Sequence, residues 1–209
     1  MASPPRVADR PRSQYDAPVA ITRKELIGYV ERDLDADLAR WFSAAPVVDL
    51  PVAQVRPVAP YLERLPADAA AALAALDRRV RSGAMPQFLD IYDWSYGLDF
   101  AANDCRILDS DYTTELTDAD VYTIGADGGG NLYTVLTTGQ VAIWFHEEEV
   151  LEAGTRFDDL DTFVWSVVRH HAVRSGALEP GPVEADFRAL GQDGALEPEL
   201  GLLASMRPR

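Results

Sequence analysis

Cysteine is almost missing from this chain: Cys105 stands alone among 209 residues. One thiol cannot close an intramolecular disulfide or build a multi-cysteine zinc site. Lysine is as scarce, with Lys24 the only one among 19 cations. Those cations face 34 carboxylates, giving a formal charge of −15 and a pI of about 4.5. Binding a phosphate backbone or an anionic membrane surface draws on clustered cations, so the charge argues against both. No run of about 18 apolar residues occurs, which argues against a membrane-spanning helix. The first residues, Met1 to Pro18, hold no apolar core of signal-peptide length, a pattern that predicts a cytoplasmic protein. The chain also has no G-x-S-x-G elbow, no P-loop and no dinucleotide fingerprint.

What is present reads as one folded domain over 21–174, with a flexible leader at 1–20 and a peripheral tail at 175–209. Thr22 and Glu25 have capping-box spacing. Leu26, Ile27, Val30, Leu34, Leu38, Trp41 and Phe42 then recur with helical period, which predicts a helix over 23–43. Pro46, Pro51, Pro57 and Pro60 predict an irregular connection, with a short edge strand at 52–56. A second helix is expected at 66–82, opened by Pro66 and closed by Gly83.

From 87 onward the pattern changes to short apolar pieces between turn residues. Segments 88–92, 105–108 and 121–124 are candidate strands. Two alternating runs within 130–146, joined by Thr137-Thr138-Gly139-Gln140, predict a β-hairpin. A helix capped through Thr155 and Asp158 is expected at 156–173, with His171 on its apolar face, and a short one near 183–190.

Few residues point to chemistry. Gly125, Gly128, Gly129, Gly130 and Gly139 mark turns or bulges that fix a sheet; a phosphate cradle is the other use of such a loop. His146 with Glu147, Glu148 and Glu149 offers metal-ligand chemistry, with His170 or His171 as remote partners, but the spacing matches no metal signature. Cys105, inside an expected strand, reads as a small hydrophobe. No nucleophile, base and orienting group come together, so an enzyme is not expected, and neither a cofactor nor a resident metal.

The charge is uneven. Segment 104–127 holds seven carboxylates against Arg106, and segment 146–161 holds seven against Arg156, so each carries −6. Such a surface either keeps a protein soluble or steers a basic partner. The contact candidates are Asp109, Asp111, Glu115, Asp118, Asp120, Asp127 and Glu147 to Glu149. Trp94 and Tyr96, beside turn residues, are candidate anchors. Most aromatics of this region, Tyr133 and Trp144 among them, belong to a core by the usual burial of such side chains.

Val121-Tyr122-Thr123-Ile124-Gly125-Ala126-Asp127-Gly128-Gly129-Gly130-Asn131-Leu132-Tyr133, the Thr137-Thr138-Gly139 turn, Val141 to Glu147, and then Thr155-Arg156-Phe157-Asp158-Asp159-Leu160-Asp161-Thr162-Phe163 resemble, in order and spacing, the SUKH superfamily (the Smi/Knr-type domain). The resemblance covers about 121–172. Asn131 stands where the family commonly has Asp, and the family's Asn-Gly-Gly stretch has no counterpart in the first half. The resemblance implies an α+β fold, a curved, mostly antiparallel sheet with helices packed on one side. It also implies a non-enzymatic bacterial immunity protein that occludes a cognate toxin, a nuclease or other nucleic-acid-acting enzyme. The partner expected is then a basic protein, not nucleic acid or membrane. Alternatives are a regulatory or scaffold domain of the same superfamily, and a small metal-dependent enzyme using His146.

Overall fold

The computed structural model describes residues 21–51, 55–152, 154 and 156–191. The expected leader, most of the expected edge strand at 52–56, Thr155 and the chain beyond 191 lie outside the described residues.

The 23–43 periodicity is broken into three helices: α1 (Arg23–Leu26), α2 (Tyr29–Arg32) and α3 (Leu34–Trp41). Leu26, Val30, Leu34, Leu38 and Phe42 of the apolar stripe are buried and Trp41 is partly so, but Ile27 is exposed, because the helix breaks beside it at Gly28. Glu25 reaches back to the Thr22 N–H and hydroxyl at 2.8 and 2.7 Å, as the capping spacing predicts. The break comes from further away. Gly28 sits at φ +79°, and the Gly28 and Val30 amides each donate to the Asp161 carboxylate at 2.8 Å. Asp161 is 133 residues downstream of Gly28, so the helix exchanges two local hydrogen bonds for two tertiary ones.

The proline-rich connection contains α4 (Ala59–Leu62), with Pro60 in its first turn, where a missing N–H costs nothing. α5 (Ala67–Arg81) follows close to its expected place, with Leu73, Leu76 and Val80 buried.

Segments 88–92 and 105–108 are not strands. The first makes a single bridge, Asp90 to Ala126, and Tyr96 adds another to Ile124, so 90–96 lines the outer edge of the first true strand. The sheet is β1 (Val121–Ala126), β2 (Leu132–Leu136), β3 (Val141–Phe145) and β4 (Val150–Leu151), in that order, with every neighbour antiparallel. The fold is α+β, a four-stranded sheet with helices alongside. Gly139 closes the expected hairpin at φ +86°, and a Cβ there would sit 2.9 Å from the Ala69 methyl, so both conformation and space demand glycine.

Alternation along the strands assigns the two faces. Tyr122, Ile124, Tyr133, Val135, Val141 and Ile143 join the core built with the helices. Val121, Leu132, Leu136, Ala142, Trp144 and Leu151 form a second cluster with Phe100 and Ile107. Ala126 has the parity of Ile124 yet joins the second cluster. A bulge between Thr123 and Gly125 shifts the register by one, which carries every later side chain to the other face. Both faces are therefore covered: helices lie on one, and irregular chain around Phe100 to Leu116 lies on the other. Phe100 packs edge-on against Trp144, with ring centroids 4.9 Å apart.

α6 (Leu160–Arg174) is central, touching α1, α2, α3 and α5. Asp159, not the expected Thr155–Asp158 pair, is its cap, accepting from the Thr162 amide at 2.7 Å. Arg169 carries its guanidinium 4.3 Å from the Trp165 ring and 2.9 Å from Asp37, which ties α6 to α3. The chain after 174, expected as peripheral, adds α7 (Pro180–Ala189) to the core: Phe187 is fully buried against Trp165, alongside Val183 and Leu190. Glycines and prolines obscured three apolar residues spaced at four and three, enough to dock one helix face.

His170 is the deeply buried histidine and His171 the half-buried one, its ring 6.0 Å from that of Phe88. Burial holds His170 down at about 3 and His171 at about 4, against 6.5 in the open chain. The unfolded chain therefore binds protons first on acidification, so stability falls as pH drops below 6.5 and continues to fall toward those values. Unfolding free energies from denaturant titrations between pH 7 and 4.5 should fall by up to about 1.4 kcal/mol per pH unit for each ring. His170→Gln with His171→Gln should flatten that slope. Phe100→Ala should cost about 3–5 kcal/mol in thermal or urea unfolding, because it uncovers Trp144 on the second face.

Candidate functional site

Three irregular pieces meet at one end of the sheet. The β1–β2 loop (127–131) and the β3–β4 turn (146–149) lie there by strand direction, and segment 90–95 joins them along the β1 edge. Absent side chains let them approach. A Cβ on Gly128 would lie 3.0 Å from the Asp90 carboxylate, and one on Gly130 would lie 3.1 Å from the His146 ring.

Asp127 organises the loop. Its Oδ1 accepts the Gly129 and Asn131 amides at 2.7 and 3.2 Å, and its Oδ2 accepts the Asn131 side-chain amide at 2.8 Å. Two of the loop's backbone N–H groups, those of Gly129 and Asn131, are thus already committed to Asp127 within the turn. Asn131 Oδ1 lies 3.1 Å from His146 Nδ1, so the side chain bridges Asp127 and His146.

The acidic candidates divide by what they hold. Asp109 accepts the Thr113 amide at 2.8 Å, and Asp120 the Thr117 amide at 2.9 Å. The Thr113 and Thr114 backbone N–H groups hold Asp109 down at about 2. Asp118 accepts the Phe100 and Ala101 amides at 2.9 and 3.0 Å and lies 3.5 Å from Arg56. Glu149, at φ +56°, accepts the Arg106 amide at 3.0 Å, and Glu115 pairs with Arg106 at 3.3 Å. Asp111, Glu147 and Glu148 are exposed and make no such bond among the described residues.

The two aromatic candidates part company. Trp94 is 47% exposed, whereas Tyr96 is fully buried, with its hydroxyl 3.0 Å from Asp77 Oδ1. Tyr96 is therefore corrected from anchor to core residue: its bridge to Ile124 turns the ring inward, edge-on to Tyr122. Tyr92, which sequence reasoning did not single out as an anchor, is 45% exposed and stacks on Trp94 at 5.7 Å and 14°. The aromatic-x-aromatic spacing of 92 and 94 was a signal for a shared face, though an extended strand was the reason to expect it.

Charge is segregated with the architecture. Between Arg81 and Arg156 the chain carries only one cation, Arg106, against 14 carboxylates, a net of −13 out of −15. This stretch comprises the sheet and its irregular cover, so nearly all the excess charge lies on that half of the molecule.

Concave features are modest. A cleft of about 300 Å3 lies between Arg56, Tyr61, Arg64 and Ala119, with its cations facing Asp118 and Asp120. A smaller one of about 190 Å3 lies where α1, α5 and α6 meet. His146 sits at the sheet end while His170 and His171 pack within α6, and among the described residues no three His, Cys, Asp or Glu side chains converge on one point. Also among the described residues, no helix is long and apolar enough to cross a membrane.

No family model matches the chain, no curated protein matches it, and no solved structure matches it.

Asp127→Ala should speed hydrogen exchange at Gly129 and Asn131 at least tenfold while lowering global stability by only about 1–2 kcal/mol, since the orphaned amides face water. Exchange measured by NMR on the two proteins checks it.

Proposed function

We propose that this chain is a non-enzymatic, cytoplasmic protein-binding module that neutralises a cognate toxin by occlusion. The toxin is a basic protein, such as a nuclease or another enzyme acting on nucleic acid. One observation carries the reading: exposed carboxylates and an exposed aromatic pair share one end of a sheet that is packed on both faces. A rigid frame with Glu147, Glu148 and Asp111 uncommitted offers charge for a partner without drawing on groups that hold the fold. Such charge steers a basic protein, and a nucleic-acid enzyme presents the matching cations in its substrate groove. The SUKH resemblance of 121–172 adds the biological setting.

The test is a pull-down with the product of the gene upstream of this one, followed by growth rescue from its toxicity. A one-to-one complex, rescue, and at least a tenfold weaker Kd in 500 than in 50 mM NaCl are expected. Glu147→Lys with Glu148→Lys should weaken the complex at least tenfold with the melting temperature unchanged. A complex indifferent to salt and to those reversals counts against occlusion through the acidic surface. Absence of both complex and rescue counts against the toxin itself.

A further inference from the structure

Tyr92 and Trp94 make a platform that is set before any partner arrives. The Ser95 hydroxyl, fully buried, accepts the Tyr92 amide at 2.8 Å and donates to the Asp90 carbonyl at 2.7 Å. The Tyr96 amide donates to the Tyr92 carbonyl at 2.9 Å, and the Tyr96 ring is locked in the core. The turn that carries the two rings is therefore pinned at both ends, and the rings order each other by stacking. Docking on such a surface costs little side-chain entropy, which is the property that makes rigid aromatics effective contact residues.

The surroundings select the occupant. Exposed Asp93 lies between the two rings in sequence, and the Asp90 carboxylate lies against the glycine loop beside Asp127. No Lys or Arg occurs from 82 to 105. Stacking platforms for nucleic acid work within a basic groove, and this rim would repel phosphate. A second copy of the chain would bring a like-charged rim against it. A cation fits both features. Indole is the best of the side-chain faces for cation–π attraction, and a planar, weakly hydrated guanidinium stacks on it better than an ammonium does.

We propose that the Tyr92–Trp94 stack is the anchor that receives an arginine side chain of a basic protein partner, its guanidinium lying on the aromatic faces within a carboxylate rim. This rests on the protein-binding reading above and names the chemistry of its central contact.

The probe is the acetylated, amidated hexa-arginine peptide, titrated into the full chain in 20 mM salt and followed by calorimetry and tryptophan fluorescence. Hexalysine and hexacitrulline serve as comparisons. Hexa-arginine should bind with a fluorescence change, hexalysine at least fivefold more weakly, and hexacitrulline not measurably. Trp94→Ala and Tyr92→Ala, both at exposed positions, should keep the wild-type melting temperature and weaken hexa-arginine binding at least tenfold. Equal affinity for arginine and lysine peptides, undiminished binding by Trp94→Ala, or no binding at all would overturn the proposal. So would an oligothymidine or a self-association that depends on Trp94. The toxin pull-down separates the two readings. A toxin complex unmoved by Trp94→Ala sinks the anchor and leaves the module. Trp94-dependent peptide binding without any toxin complex does the reverse.

Discussion

Irregular backbone laid over a sheet must find partners for its own N–H groups, and here carboxylates provide them. Asp99 takes the Ala102 amide, Asp118 those of Phe100 and Ala101, Asp109 that of Thr113, and Asp120 that of Thr117. Asp127 and Glu149 do the same for the β1–β2 loop and for Arg106. Each short aspartate caps a turn that has no ladder to join. The Phe100 and Ile107 side chains can then stay buried over the second face. Much of the chain's acidity is thus a consequence of covering a sheet with loop instead of helix, and only the remainder is available for a partner.

The helical side is held by a different device. Asp161 fixes the break between α1 and α2, while Asp77, Arg81, Tyr96 and Tyr122 form a connected polar group between α5 and β1. Arg81 also donates to the Arg56 carbonyl at 2.8 Å, and the Arg56 guanidinium donates to the carbonyls of Asp118 and Val121. Helices, sheet edge and cover therefore meet through a connected group of part-buried charge, in which Arg56 Nε is left without a hydrogen-bond partner. The energetic reason to keep such a group intact is that losing one member strands the others.

Local signals carried the parts of the fold that obey a local period. The hairpin at 132–145, α5 and most of α6 were legible because alternation and helical spacing survive tertiary packing there. The α+β class was expected from the SUKH resemblance, and the structure has it. The break at Gly28 was not legible, since its cause, Asp161, is far along the chain. The segments 88–92 and 105–108 are apolar enough for strands, but they spend that apolarity covering an edge and a face. Trp94 was legible as an exposed aromatic and Tyr96 was not legible as a buried one, because two residues of a tight turn replace strict alternation. Which carboxylates cap amides depends on loop geometry that no spacing rule encodes, so the acidic candidates could be named only as a group.

The uncoupling of Glu147 and Glu148 from the hydrogen bonds of the β3–β4 turn has an evolutionary corollary. Mutations at these two sites escape the stability threshold that constrains Asp118 or Asp127, so lineages can drift there freely. A scaffold built in this way can change its letters at those sites with no need to relearn how to fold.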